Sequence, residues 1–253
     1  MNGFRLLLGK ELREQVRTLR LPVVLIVFAM LGLMSPLLAR YTKEIIHAVG
    51  GSQFEGVIPD PVVGDAILQF TKNVGQFGIV IAILVTMGAV ASEKDHGTAA
   101  FLLTKPITRG AFLGAKVAAI GLLLALATIV AGSLCWVYTA ILFEPLPGAG
   151  FVAAMALVWL SLAVFAAITF LASVTARSAI VAGGIGLGAL VAAGLLGALP
   201  GIGPYLPTGL WGAAEALALG RVAEPLLGPV AVGAAVVIIA ALLSWLSFRR
   251  QEL

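Results

Sequence analysis

Six stretches of the chain contain no Asp, Glu, Lys, Arg or His over a length sufficient to cross a lipid bilayer, and this limits the fold more than any other feature. They run over Leu21–Ala39, Val74–Ala91, Val117–Phe143, Phe151–Ala176, Ser178–Leu199 and Leu226–Phe248. About 20 residues rising about 1.5 Å each cross a hydrocarbon core of about 30 Å, where a central charge costs several kcal/mol. Continuous apolar runs of this length read as spanning helices, because a helix satisfies its backbone polar groups internally. The expected fold is therefore all-α: one transmembrane domain over residues 1–253, with six spanning helices. The chain is 60% hydrophobic and 11% charged, with a mean hydropathy of +1.09, beyond the range of a water-soluble domain. Only Arg177 separates the fourth and fifth runs, and a single helix through both would be far too long for one crossing, so a turn is expected there.

The basic residues orient the spans. With the N-terminus inside, Arg5, Lys10, Arg13, Arg17, Arg20, Lys94, Lys105, Arg109, Lys116, Arg177, Arg249 and Arg250 are cytoplasmic. Only Arg40, Lys43, Lys72 and Arg221 are left outside, a strong inside-positive bias with both termini in the cytoplasm. This placement also accounts for the net charge of +4 without a nucleic-acid surface, since the basic residues border the spans. The single Cys135 lies in an apolar run, and no intramolecular disulfide can form.

Residues 1–20 do not read as a signal peptide, because the polar stretch is long and no convincing cleavage pattern follows. At about 100° per residue, Phe4, Leu7, Leu8, Leu12, Val16 and Leu19 share one face, opposite Lys10, Arg13, Arg17 and Arg20. The pattern fits an interfacial helix lying on the cytoplasmic membrane surface, or a basic anchor that only fixes topology. Asp60 and Pro61 are expected to cap and begin a helix that runs through Ala66 and Phe70 into the second span. Arg40–Pro59 reads as an external loop, and the Pro- and Gly-rich segment from Pro200 to Pro225 as irregular or partly re-entrant.

No lysine is followed by Ser or Thr, so the phosphate-binding P-loop pattern of Gly-Lys-Ser/Thr is missing. His47 and His96 fall on opposite sides of the membrane, outside any metal-ligand spacing. An ion-coupled carrier would need ionisable groups in its spans, or hydroxyls such as Thr86, Ser133, Thr169 and Ser173. No nucleophile–base or metal-ligand set appears beside the spans, so the chain is not expected to be an enzyme or to hold a cofactor of its own.

The longest cytoplasmic loop, from Ser92 to Lys116, is where energy could enter from a partner. Thr98–Thr104 is expected to form a short helix presenting Phe101, Leu102 and Leu103, ended by Lys105-Pro106. Thr108 can cap the helix that becomes the third span. Taken alone, Glu93, Lys94, Asp95 and Arg109 read first as solvated interfacial residues that keep the loop in water.

The pattern Glu93, Asp95, Gly97-Thr98, Leu102-Leu103, Pro106, Arg109 and Lys116 resembles the first cytoplasmic loop of ABC type-2 permeases. The likeness extends to Lys10-Glu11-Leu12-Arg13, Asp60-Pro61, Gln69-Phe70 and the closing Phe248-Arg249-Arg250-Gln251-Glu252-Leu253. It implies a permease subunit of an ATP-binding-cassette exporter in a cell inner membrane, paired with a second permease copy or homologue. ATP would then be bound by a separate cytoplasmic ATPase subunit. It further implies that the N-terminal helix is an elbow, that Glu93, Asp95, Gly97, Thr98, Pro106 and Arg109 couple to the ATPase, and that the second and fifth spans line the pathway. Gly184 and Gly188 in the fifth span form a small-xxx-small pair, suited to a dimer seam or to packing within one chain. A membrane scaffold for a cytoplasmic partner and an ion-coupled carrier are the alternatives.

Overall fold

The computed structural model describes residues 2–50, 59–95, 97 and 108–251, and the described residues contain helices and no strand. Thr98, Pro106 and the short helix expected over Thr98–Thr104 lie outside them, as does His96. The helices are α1 (Asn2–Arg17), α2 (Arg20–Arg40), α3 (Thr42–Gly50), α4 (Val63–Asn73), α5 (Ile79–Met87) and α6 (Ala91–Asp95). They continue as α7 (Arg109–Leu142), α8 (Gly148–Thr175), α9 (Ala179–Gly197), α10 (Gly209–Ala218) and α11 (Leu227–Arg249). Six helical units are long and apolar enough to span a membrane: α2, the run Val63–Asp95, α7, α8, α9 and α11.

The fourth span, α8, is the hub, packing on α5, α7, α9, α10 and α11, while α2 pairs with α7 and α4. Half of the apolar window of α8 is buried, against 17% for α9 and for α11, so the last two spans leave broad faces outward. The α2–α7 pair is close because Gly32 faces the Ala131 backbone, leaving no room for a side chain. Phe28, Phe70, Leu123, Leu124 and Leu162 are fully buried among these helices.

Several local signals act as the sequence predicts. The Thr108 hydroxyl accepts a hydrogen bond from the Ala111 N–H at 3.2 Å, starting α7. Ser178 does the same for Val181 at 3.3 Å, so the chain turns at Arg177 and separates α8 from α9. At 34 residues, α7 is about 51 Å long, well beyond a hydrocarbon core of about 30 Å, so part of it lies outside the membrane.

Other elements differ. The second helix begins at Val63 rather than Pro61, because Asp60 is drawn to the Lys43 ammonium at 2.6 Å. Asp65 caps instead, its carboxylate accepting from the Val62 N–H at 2.8 Å. Part of the loop expected over Arg40–Pro59 is helical: α3 follows Tyr41 directly, with no glycine before Gly50 and with Glu44 in its first turn, where the helix dipole favours a carboxylate. The second span is not a uniform α-helix, since Val74–Gly78 is a π-helical turn.

The segment between α9 and α11 contains a 3₁₀ turn, Gly203–Tyr205, and then α10. Leu210, at the start of α10, meets Val164 and Leu160, partway along α8, beside Gly233, whereas Leu217 lies against Gly150 at the start of α8. The segment thus dips between the spans and returns, the re-entrant course that its glycines and prolines predict. Gly220, at φ +70°, ends α10, with the Arg221 N–H bonded to the Ala216 carbonyl at 2.8 Å.

Candidate functional site

Helix α1, the end of the second span and the beginning of α7 meet at one end of the bundle, called here the base. On α1, Leu7, Glu11 and Gln15 recur at four-residue spacing and form one face against α7. Leu7 is buried, and the Gln15 side-chain amide donates to the Ala119 carbonyl at 3.1 Å. This brings the α1 carboxylates to Lys116, whose side chain is only 4% exposed.

The result is a charged clasp. Glu93 Oε1 accepts from Lys116 Nζ at 2.9 Å and from Lys10 Nζ at 3.1 Å. Lys116 also reaches Glu11 at 3.1 Å, while Lys10 reaches Glu11 and Glu14, each at 3.2 Å. Two ammoniums among three carboxylates hold three elements in one geometry, and partial burial makes each contact stronger than an exposed pair. Burial pushes the Lys10 pKa down, but Glu93, Glu11 and Glu14 together outweigh it and hold this ammonium above the ordinary lysine value. The carboxylate oxygens of Glu11, Glu14 and Glu93 lie within 4.8 Å of one another, and the lysines already supply the positive charge that a cation would bring.

The clasp continues into aromatic contacts. Lys116 Nζ lies 5.2 Å from the centre of the Phe112 ring, which stacks on Phe248 of α11 at 5.5 Å. Arg109 lies 5.9 Å from the Phe248 ring and donates to the carbonyls of Phe248 and Gln251 at 2.8 Å and of Arg249 at 3.1 Å. It therefore caps the last helix, whose terminal carbonyls have no partner within the helix. The Val174 carbonyl, at the end of α8, accepts from Lys94 at 2.6 Å and Gln251 at 3.0 Å, and the Ser173 hydroxyl accepts from the Val90 and Ala91 N–H groups at 3.0 Å.

The residues singled out in the sequence therefore separate. Lys10 and Glu93 come together, while Arg109 joins a second cluster around the end of α11. Asp95 is exposed at the end of α6, and Gly97 follows it at φ +67°, a left-handed conformation that favours glycine and stops the helix. Arg13, Arg17 and Arg20 are exposed, so the basic face of α1 divides between the clasp and solvent or headgroups. Glu11, Glu14 and Lys116 complete the clasp, but sequence reasoning does not select them as a site, because their partners lie up to 105 positions away. The one available signal is that a glutamate at a membrane boundary needs a counter-charge.

Of the hydroxyls considered for an ion site, those of Thr86, Thr169 and Ser173 have other partners. Thr86 and Thr169 donate to the carbonyls of Ala82 and Phe165 in their own helices, and Ser173 holds the N–H groups of Val90 and Ala91 where α6 begins. At the opposite end, the Asn73 amide donates to Ser35 at 3.0 Å, just before the π-helical turn. A cavity of about 300 Å³ nearby is bordered by Lys72, Gln76, Trp211 and Glu215.

Six membrane-length helices, two of them tied to α1 at one end by partly buried charge, define a multi-pass helical membrane protein. Residues 5–208 match the family described as ABC-2 family transporter protein, and the chain belongs to that family. It is also similar to an uncharacterized transmembrane protein, YxlG, of Bacillus subtilis (strain 168), with 28% identity over 191 residues covering 73% of each chain. The protein is a membrane transport component of the permease type, and this family's role is transport rather than catalysis.

Proposed function

We propose that this chain is the membrane-spanning half of an ATP-driven exporter, paired with a second permease and driven by a separate cytoplasmic ATPase subunit that binds the ATP. The base then faces the cytoplasm of a cell whose inner membrane holds the spans, in accord with the distribution of basic residues. Helix α1 lies at that surface, with the exposed Leu6, Val16 and Leu19 available to lipid and Arg13, Arg17 and Arg20 to headgroups.

The observation that carries this reading is the position of Glu93. It ends the second span and holds Lys10 of α1 and Lys116 of α7 through one oxygen, on the edge of the segment that family resemblance assigns to the ATPase. Displacing that segment pulls on the second span, the elbow and the third span together. Pairing is supported by α9: Gly183 and Gly186 face Met87, Thr169 and Ile83 within the chain, while Gly184 and Gly188 face open space. The cavity beside Lys72 and Glu215, between the second span, α9 and α10, is suited to receive cargo at the outer end of such a pathway.

The test is to purify the tagged chain in mild detergent from its native host and identify its companions by mass spectrometry. A near-stoichiometric soluble protein with a P-loop is expected, with its stimulated ATPase activity lost on Glu93→Gln. A chain that purifies alone and transports in ATP-free vesicles would overturn the proposal, and partner binding without substrate-dependent ATPase activity would mark a scaffold.

A further inference from the structure

We propose that a groove between α7 and α11 binds one anionic phospholipid of the leaflet at the base, with an acyl chain in the groove and the phosphate beside Arg249. The inference rests on the cavity and its rim, and does not depend on the exporter reading.

Helix α11 packs chiefly on α8 and touches α7 little, leaving a cavity of about 490 Å³ between them. Its walls include Val117 and Gly121 of α7 and Val237 and Ala241 of α11, and Ala163 and Ala166 of α8 form its floor. The small floor residues make the cavity deep. Its size falls within the roughly 300–1,000 Å³ of small-molecule sites. Water would find few partners there, because the Thr86 hydroxyl at its edge donates to Ala82 and the Trp159 N–H donates to the Gly121 carbonyl. A void with these walls, set among membrane-spanning helices, is filled by hydrocarbon.

The rim selects the headgroup. At the base end, the Trp245 indole nitrogen packs against Gly110, and the Arg249 guanidinium lies 5.4 Å from the centre of the Trp245 ring. No carboxylate pairs with Arg249 among the described residues, and the side chain is exposed. Tryptophan and arginine at a bilayer boundary suit an anionic headgroup. Eight to twelve residues separate Arg249 from Ala241 and Val237, about 12–18 Å along the helix, which matches one leaflet of hydrocarbon at about 15 Å.

Native mass spectrometry of the full chain in mild detergent, titrated with phosphatidylglycerol or phosphatidylcholine, tests this. One phosphatidylglycerol should bind saturably per chain, about fivefold more tightly than phosphatidylcholine, as expected for one arginine acting on an anionic lipid. Arg249→Gln, an exposed change that removes only the contact with the Trp245 ring, should reduce phosphatidylglycerol to the level of phosphatidylcholine. Ala241→Trp and Ala118→Phe, which fill the groove from different helices, should abolish saturable binding of both. Non-saturating uptake, equal binding of the two lipids by the unmodified chain, or binding insensitive to all three variants would overturn the proposal.

Discussion

Lys116→Met tests whether the clasp is an energetic unit. The ammonium is 4% exposed and lies 2.9 and 3.1 Å from the carboxylates of Glu93 and Glu11, which are themselves 16% and 15% exposed. Removing one partner from a buried charge group costs about 3–5 kcal/mol, because the remaining charges stay desolvated. Proton uptake sets a ceiling: at pH 7, protonating a carboxyl with an ordinary pKa of about 4.3 costs about 3.7 kcal/mol, at about 1.36 kcal/mol per unit. With Lys10 still in place, the expected loss is about 3 kcal/mol. The sign of the pH dependence follows. Crowding raises the folded-state pKa of a carboxyl in the variant above its unfolded value, so the penalty is absent below the unfolded value and grows as pH rises toward the raised one. Reversible unfolding in mixed micelles, followed by circular dichroism, should show the loss shrinking on acidification by up to about 1.4 kcal/mol per pH unit. Adding Glu93→Gln should recover at least half of it. A loss below about 0.5 kcal/mol that is independent of pH, typical of a surface pair, would refute the clasp as an energetic unit.

Gly32→Ala should destabilise the chain by about 1–3 kcal/mol, since a methyl there runs into the Ala131 backbone; thermal melting in detergent reads this. Gly184→Leu, facing open space, should leave that melting unchanged and weaken the paired state in cross-linking. Arg109→Lys cannot reproduce three carbonyl contacts from one planar group, so hydrogen exchange should rise at the end of α11, near Phe248–Gln251. The Lys10 pKa is raised, so its contribution to stability is fully present below the ordinary lysine value and is lost only as pH rises through the raised one. Lys10→Met should therefore cost the same across the neutral range when measured by the same unfolding assay.

The sequence by itself determined what the bilayer demands. Six apolar runs, the turn at Arg177 and the cap at Thr108 are local properties, because each span must satisfy its own backbone and each cap acts within about one helical turn. The beginning of the second helix was harder to read, since Asp60, a good cap by type, is held by Lys43 from 17 positions away. The glycines of α9 show the same limit: their spacing reveals a small-residue face, but only packing on Met87 and Thr169 separates Gly183 and Gly186 from the outward Gly184 and Gly188. Tertiary structure alone brought Lys10, Glu11, Glu93 and Lys116 together and assigned Arg109 to the end of α11. Charge attraction acts through space, over a few ångströms, and sequence order does not encode which distant boundary residues the packing of apolar helices will bring within that range.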